Sequence, residues 1–192
     1  YNWTSPVIQP DSNTVMLLHF DNDTSLGENT THMYDFSGKG NNASCTPGSC
    51  PAYVSGKIGA AMQYDPGEYV TVQDSPTLDG MNEISIEAWI NATDVSNFQI
   101  IDKNQSYEIY TDPTAHVIFK LFNPNVTLQS TSTIEIGKWY MIQATYNGSK
   151  MKLYINGVLE NTASRTGTVA NTTGPLVIGV EAGDLASNGF EG

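Results

Sequence analysis

Glu83 and Glu87 are the residues whose types and spacing come nearest to an enzyme's needs. Two carboxylates flanking a glycosidic bond can divide the roles of acid and nucleophile, and a retaining pair stands about 5–5.5 Å apart. In Glu83-Ile84-Ser85-Ile86-Glu87-Ala88-Trp89-Ile90, apolar residues alternate with others. The segment therefore reads as a strand with both glutamates on one face, where Cα atoms at i and i+4 lie about 13 Å apart. Only curvature and side-chain reach could close that gap, so two solvated glutamates are expected and no residue is assigned as catalytic. His19, His32 and His116 are scattered, with no Ser or Cys nucleophile motif beside them. There is no His-x-x-x-His ligand pair and no phosphate-binding loop. Tyr107, Tyr110, Tyr140 and Tyr154 could form an aromatic platform for sugars if they share one sheet face; core and cross-strand packing is the competing role.

Cys45 and Cys50 bracket Thr-Pro-Gly-Ser, and Pro-Gly is a turn that brings the two ends together. A disulfide is expected, stabilising by about 2 kcal/mol for so short a loop. Free thiols or a metal pair are the alternatives, although two cysteines alone make a poor zinc site. Asn-x-Ser/Thr recurs at Asn2, Asn22, Asn29, Asn42, Asn91, Asn104, Asn125, Asn147 and Asn171, more often than the composition gives by chance. Such acceptors point to a glycosylated, extracellular or cell-surface chain. The formal charge is −12, which leaves nothing to neutralise phosphates and argues against a nucleic-acid partner. No run approaches the roughly 20 apolar residues of a membrane helix.

These residues must be positioned by strands. At 192 residues the chain is long enough for one domain with a sizeable core. Residues 1–13 contain two prolines and no periodicity and read as a linker or docking arm, with Trp3 as its contact candidate. Residues 14–192 read as the folded domain. Trp139–Tyr146, Met151–Ile155 and a third run from Val158 form a meander, with Asn147-Gly148 and Asn156-Gly157 expected as type I′ turns. Further strands are expected at Val15–Phe20, Glu68–Gln73, Glu83–Ile90, Phe98–Lys103, Ser106–Thr111, His116–Phe122 and Val126–Ser130. Leu17, Phe20, Met62, Ile86, Ala88, Ile142, Ala144, Leu153, Ile155 and Ile178 are the expected core.

The order of several motifs resembles the laminin G-like (LamG) jelly rolls of the concanavalin A-like lectin/glucanase superfamily. They are Asp35-Phe36-Ser37-Gly38-Lys39-Gly40-Asn41, then Gly56-Lys57-Ile58-Gly59-Ala60-Ala61, Ile100-Ile101-Asp102-Lys103, Gly137-Lys138-Trp139-Tyr140 leading to Ala144-Thr145-Tyr146-Asn147-Gly148, and Pro175-Leu176-Val177-Ile178-Gly179. Where the family has Trp-His-His, this chain has Trp139-Tyr140-Met141. Some glucanases of the superfamily carry Glu-Ile-Asp-Ile-Glu, and here Ser85 stands in the Asp place.

The resemblance implies an all-β, two-sheet antiparallel jelly-roll sandwich of the concanavalin A-like kind. It implies a structural calcium near Asp21, Asp35, Gly40 and Asn41; a loop fixed by an Asx-turn is the alternative. It also implies a last strand opening with Phe190-Glu191-Gly192 and pairing beside Val15–Phe20. That strand is missing from the sequence as written, so an open edge there is expected, filled by continuing chain, by a neighbouring subunit, or capped by loops. The expected function is a non-catalytic module binding glycans or surface proteins in adhesion. A structural subunit of a surface layer or filament, associating through the open edge, is the alternative, and glycoside hydrolysis the third.

Overall fold

The structure, a computed structural model, describes residues 9–95, 98–182 and 189–192. Asn2 and Trp3 lie outside them. Among the described residues the only helix is a single 3-10 turn, Thr24–Leu26, and the rest is antiparallel sheet and loops, as the strand patterning requires.

The described residues form fourteen strands, in chain order β1 (His32–Met33), β2 (Ala43–Ser44), β3 (Ala52–Ser55), β4 (Ala60–Gln63), β5 (Val70–Val72), β6 (Ile84–Asn91), β7 (Gln99–Lys103), β8 (Tyr107–Thr111), β9 (His116–Leu121), β10 (Val126–Thr133), β11 (Trp139–Tyr146), β12 (Lys150–Ile155), β13 (Val158–Ser164) and β14 (Leu176–Ile178). An eight-stranded sheet has the order β1-β2-β5-β14-β7-β8-β9-β10. A four-stranded sheet has the order β13-β12-β11-β6, and β3 and β4 form a separate hairpin. The two larger sheets trap one core between alternate residues: Ile101, Ile109 and Phe119 from the large sheet, and Ile142, Ala144, Leu153 and Ile155 from the small one. Gly179, after β14, has φ +104°, and a Cβ there would lie 2.7 Å from the Tyr64 ring, so backbone and ring both require glycine.

The meander forms as expected, but its two turns differ. Asn156 and Gly157 both have positive φ, +52° and +77°. At the other turn only Gly148 does; the Asn147 carboxamide oxygen instead accepts from the backbone N–H groups of Ser149 and Lys150. A side-chain turn has replaced the type I′ geometry.

Val15–Phe20, expected as a strand, contributes only one bridge, Leu18 to Asp35. Val15, Met16, Leu18 and Phe20 still pack against the core, whereas Leu17, expected in it, is half-buried and outside it. Of the remaining expected core residues, Met62 is buried, while Ile86, Ala88 and Ile178 are only partly buried.

The unpaired edges also lie elsewhere than expected. One side of β6 and one side of β4 have no strand partner among the described residues. Gly192 exchanges backbone hydrogen bonds with Tyr64 (3.0 and 3.3 Å), and Thr93 N–H donates to the Glu191 carbonyl at 2.8 Å. The C-terminal residues therefore lie between the ends of β4 and β6. Beyond them, Ile84, Ile86 and Ala88 face inward but are only half-buried. Their direct partners on β11, Tyr146, Ala144 and Ile142, are at most 2% exposed. The difference marks a strip of core that the described residues leave half-covered on that side.

Candidate functional site

On the large sheet, Ile101, Ile109 and Phe119 are cross-strand partners that point into the core. Alternation therefore turns their neighbours Asp102, Glu108 and Lys120 outward, also as direct cross-strand partners. A second outward row is Gln99, Tyr110 and Ile118. Gln99 and Asp102 are three residues apart and would face opposite sides of a regular strand. The pairing shifts between Gln99 and Ile101, a bulge that resets the alternation so both residues face out.

All of these outward side chains except Ile118 line an open cavity of about 350 Å³, together with Phe98, Asn104, Gln105, Phe122 and Glu181. Lys120 Nζ pairs with Glu108 Oε1 at 2.8 Å and lies 4.1 Å from the centre of the Phe122 ring. From the segment after β14, Ala182 N–H donates to Asp102 Oδ2 at 2.8 Å. Asp102 is left 4% exposed. Burial pushes its carboxyl up to about 6, the Ala182 hydrogen bond pulls it down, and the negative charges of Glu108 and Glu181 push it further up. Burial likewise raises the Tyr110 phenol.

The cavity thus offers three carboxylates, three carboxamides, a phenol, two benzyl rings and the Lys120 ammonium. Carboxylates and amides bind hydroxyl pairs, and rings pack on the C–H faces of sugars. Sequence reading named Asp102 and Tyr110 but not this cluster. Its signal is the run of polar residues at the outward positions of three adjacent strands, which needs the bulge before it can be read.

The other sequence-predicted residues are not gathered here. Tyr107 is buried in the core and Tyr140 packs against it. Tyr154 lies on β12 at an outward position of the small sheet. The four tyrosines therefore share no face. Glu83 and Glu87 are exposed at the small sheet, and Glu87 accepts a hydrogen bond from Gln143 on β11.

Asp35 is 1% exposed, and its carboxylate accepts from Leu17 N–H and Ser37 N–H at Oδ1 and from Asn41 N–H and the Ser37 hydroxyl at Oδ2. Asp21 accepts from Ala60 N–H at 3.0 Å, and Asn41 Nδ2 donates to Val15 O and Thr77 Oγ1. Four donors occupy the Asp35 carboxylate, which in this arrangement fastens the loop that carries Gly40 and Asn41.

Cys45 and Cys50 are joined, with Cα atoms 5.2 Å apart. Of the acceptor asparagines described, Asn22, Asn29, Asn125, Asn147 and Asn171 are exposed; Asn42, Asn91 and Asn104 are half-buried. No helix among the described residues is long and apolar enough to cross a membrane.

This sandwich belongs to the concanavalin A-like lectin/glucanases superfamily: a laminin G-type family model matches residues 65–192. No curated protein sequence gives a match. Solved structures share the fold at low identity. Domain 4 of the GH43 extracellular arabinanase AbnA from Geobacillus stearothermophilus, in complex with arabinotriose, is 20% identical, with TM-score 0.66 over 85% of this chain and 87% of that one. The binding domain of Paraclostridial Mosquitocidal Protein 1 is 16% identical, with TM-score 0.64 over 85% of this chain and 44% of that one. Mouse laminin α1 domains LG4-5 are 15% identical, with TM-score 0.55 over 77% and 42%. The chain spans less than half of the last two structures.

Proposed function

We propose that this chain is a non-catalytic sugar-binding module of a glycosylated extracellular or cell-surface protein, and that the outward cavity on β7, β8 and β9 is its binding site. The observation that carries this reading is the in-register row Asp102–Glu108–Lys120 beside Tyr110 and Phe122, partly covered by the segment after β14. The arabinotriose-bound relative and the binding-domain relative support a binding role on this fold. The disulfide and the exposed sequons support an oxidising, glycosylating compartment. Titration calorimetry with arabinotriose, followed by a glycan array, tests the reading. Binding that Asp102→Ala or Tyr110→Ala weakens supports it; the same affinity in both variants removes the site.

A second reading rests on the half-buried strip beside β6. Among the described residues one side of β4 and one side of β6 have no strand partner, and an added strand would pair with their backbone groups while burying Ile84, Ile86 and Ala88. That is the route by which the chain would associate with a surface protein or with copies of itself in a layer or filament. Hydrogen exchange of residues 84–91 in the isolated chain and in any assembly tests it: protection gained on assembly supports strand addition, and equal protection in both rules it out.

A further inference from the structure

The 350 Å³ cavity does not end at Phe122. A second open cavity, of about 620 Å³, shares Gln105 and Phe122 with it and continues past Asn123, Pro124 and Asn125 to Ala170, Asn171 and Thr172. The two cavities adjoin at Gln105 and Phe122, and side by side they make the two parts of a trough. They differ in chemistry. The first has Asp102, Glu108 and Glu181 against a single Lys120, already paired with Glu108. The second is lined by amides, a hydroxyl and apolar groups and has no ionisable side chain in its lining.

The wall of the second part is held from beneath. Arg165 is 3% exposed and spends its donors on the chain: on the carbonyls of Phe122 at 2.8 Å, Pro124 at 3.3 Å, Gly167 at 3.1 Å and Thr168 at 2.9 Å. Its cation is therefore turned to backbone, and the loop it fastens is a preorganised surface, which lowers the cost of binding there.

Resting on the sugar-binding reading above, we infer that the ligand is an uncharged oligosaccharide lying along both parts of the trough, and that sulfated or uronate-containing glycans are excluded. The length follows from the two cavities adjoining at Gln105 and Phe122: each part alone falls within the range of about 300–1,000 Å³ that holds a drug-sized ligand, so a single sugar would leave one part empty. The exclusion follows from charge. An anionic sugar beside Asp102, Glu108 and Glu181 meets like charges with no free cation among the lining residues, on a chain of net charge −12.

The test uses the full chain made in bacteria without N-glycans, because Asn104, Asn125 and Asn171 border the trough and a glycan there would compete for it. Calorimetry compares neutral arabino- and xylo-oligosaccharides of one, three and five units with oligogalacturonates of the same lengths. Neutral pentamers are expected to bind about tenfold or more tighter than monomers, and oligogalacturonates not at all. Phe122→Ala should erase most of the length dependence, and Gln105→Ala, at an exposed position, should reduce it without a folding risk. Monomers binding as tightly as pentamers, or oligogalacturonates binding as tightly as neutral chains, overturn this inference while leaving the sugar-binding reading standing. No binding by any sugar takes down the sugar-binding reading and this inference together.

Discussion

Two pairs of carboxylates sit on the outward faces of this sandwich, and they differ in almost everything except residue type. Glu83 and Glu87 are four residues apart in the chain, at the small sheet, exposed, with Glu87 accepting a hydrogen bond from Gln143. Asp102 and Glu108 are on different strands of the large sheet and directly opposite in register, which puts their Cα atoms roughly 5 Å apart. One of them is covered by the segment that follows β14, and the other is paired with Lys120. Proximity along one strand separates side chains, because each step carries them about 3.3 Å further. Proximity across strands unites them, and a covering loop then sets their chemistry. What a carboxylate can do here is decided by register and desolvation, not by local motif.

The strongest test of that lesson is the most buried charge network. Lys103 is 0% exposed and pairs with Asp74 at 2.5 Å and Asp79 at 3.1 Å, and Asp79 also accepts from Thr172 N–H. Lys103→Met leaves Asp79 as an uncompensated buried carboxylate, and denaturant unfolding should show a loss of about 3–5 kcal/mol. A loss under about 1 kcal/mol would mean that burial does not govern carboxylates in this fold.

Asp35 comes next. Its four donors are backbone amides and a hydroxyl, so Asp35→Ala should cost on the order of 2–3 kcal/mol by leaving several of them unpaired. Because those donors fill the carboxylate, EDTA should leave the thermal midpoint of the unaltered chain in place. A drop on chelation, reversed by calcium, would return Asp21 and Asp35 to the role of metal ligands.

Asp102 gives the pH arm. Its folded pKa, about 6, is above the ordinary 3.8, so the folded state holds a proton that the unfolded state has released between these values. Its contribution therefore favours folding at low pH and is lost as pH rises from about 4 through 6. In Asp102→Asn the stability-versus-pH curve should lack that fall, a difference of roughly 2 kcal/mol between pH 4 and 7. Identical curves for the two proteins would remove desolvation as the distinguishing feature of the site.

A smaller effect is expected in binding. Asp102→Ala and Tyr110→Ala should each weaken an arabinotriose complex by about tenfold, near 1.4 kcal/mol. Glu83→Gln and Glu87→Gln should change neither binding nor stability beyond about 0.5 kcal/mol. Hydrolysis of a β-glucan that Glu83→Gln abolishes would reverse the comparison outright.

Much of the fold could be read along the chain. The meander from Trp139 carries its own alternation and its own turn residues, and Asn156-Gly157 adopts the positive φ values that those residue types permit most cheaply. The Cys45–Cys50 loop is short enough for its turn to close it. These are local properties, set by period and by backbone sterics, and they need no knowledge of neighbours. The Asn147-Gly148 turn marks the boundary: the residues call for a turn, but the Asn147 side chain, by taking two N–H groups, chose a different one.

What the sequence left open is everything that depends on which strands become partners. No residue near Asp102 announces that Glu108 and Lys120 will stand beside it, because those contacts are made across two hairpins, and the bulge after Gln99 is an irregularity of pairing that alternation alone would misplace. The half-burial of Ile84, Ile86 and Ala88 is likewise invisible in their pattern, which matches that of the fully buried Ile142, Ala144 and Tyr146. Alternation specifies which face of a strand is apolar. Only the order of strands in the sheets decides whether that face has a neighbour on both sides.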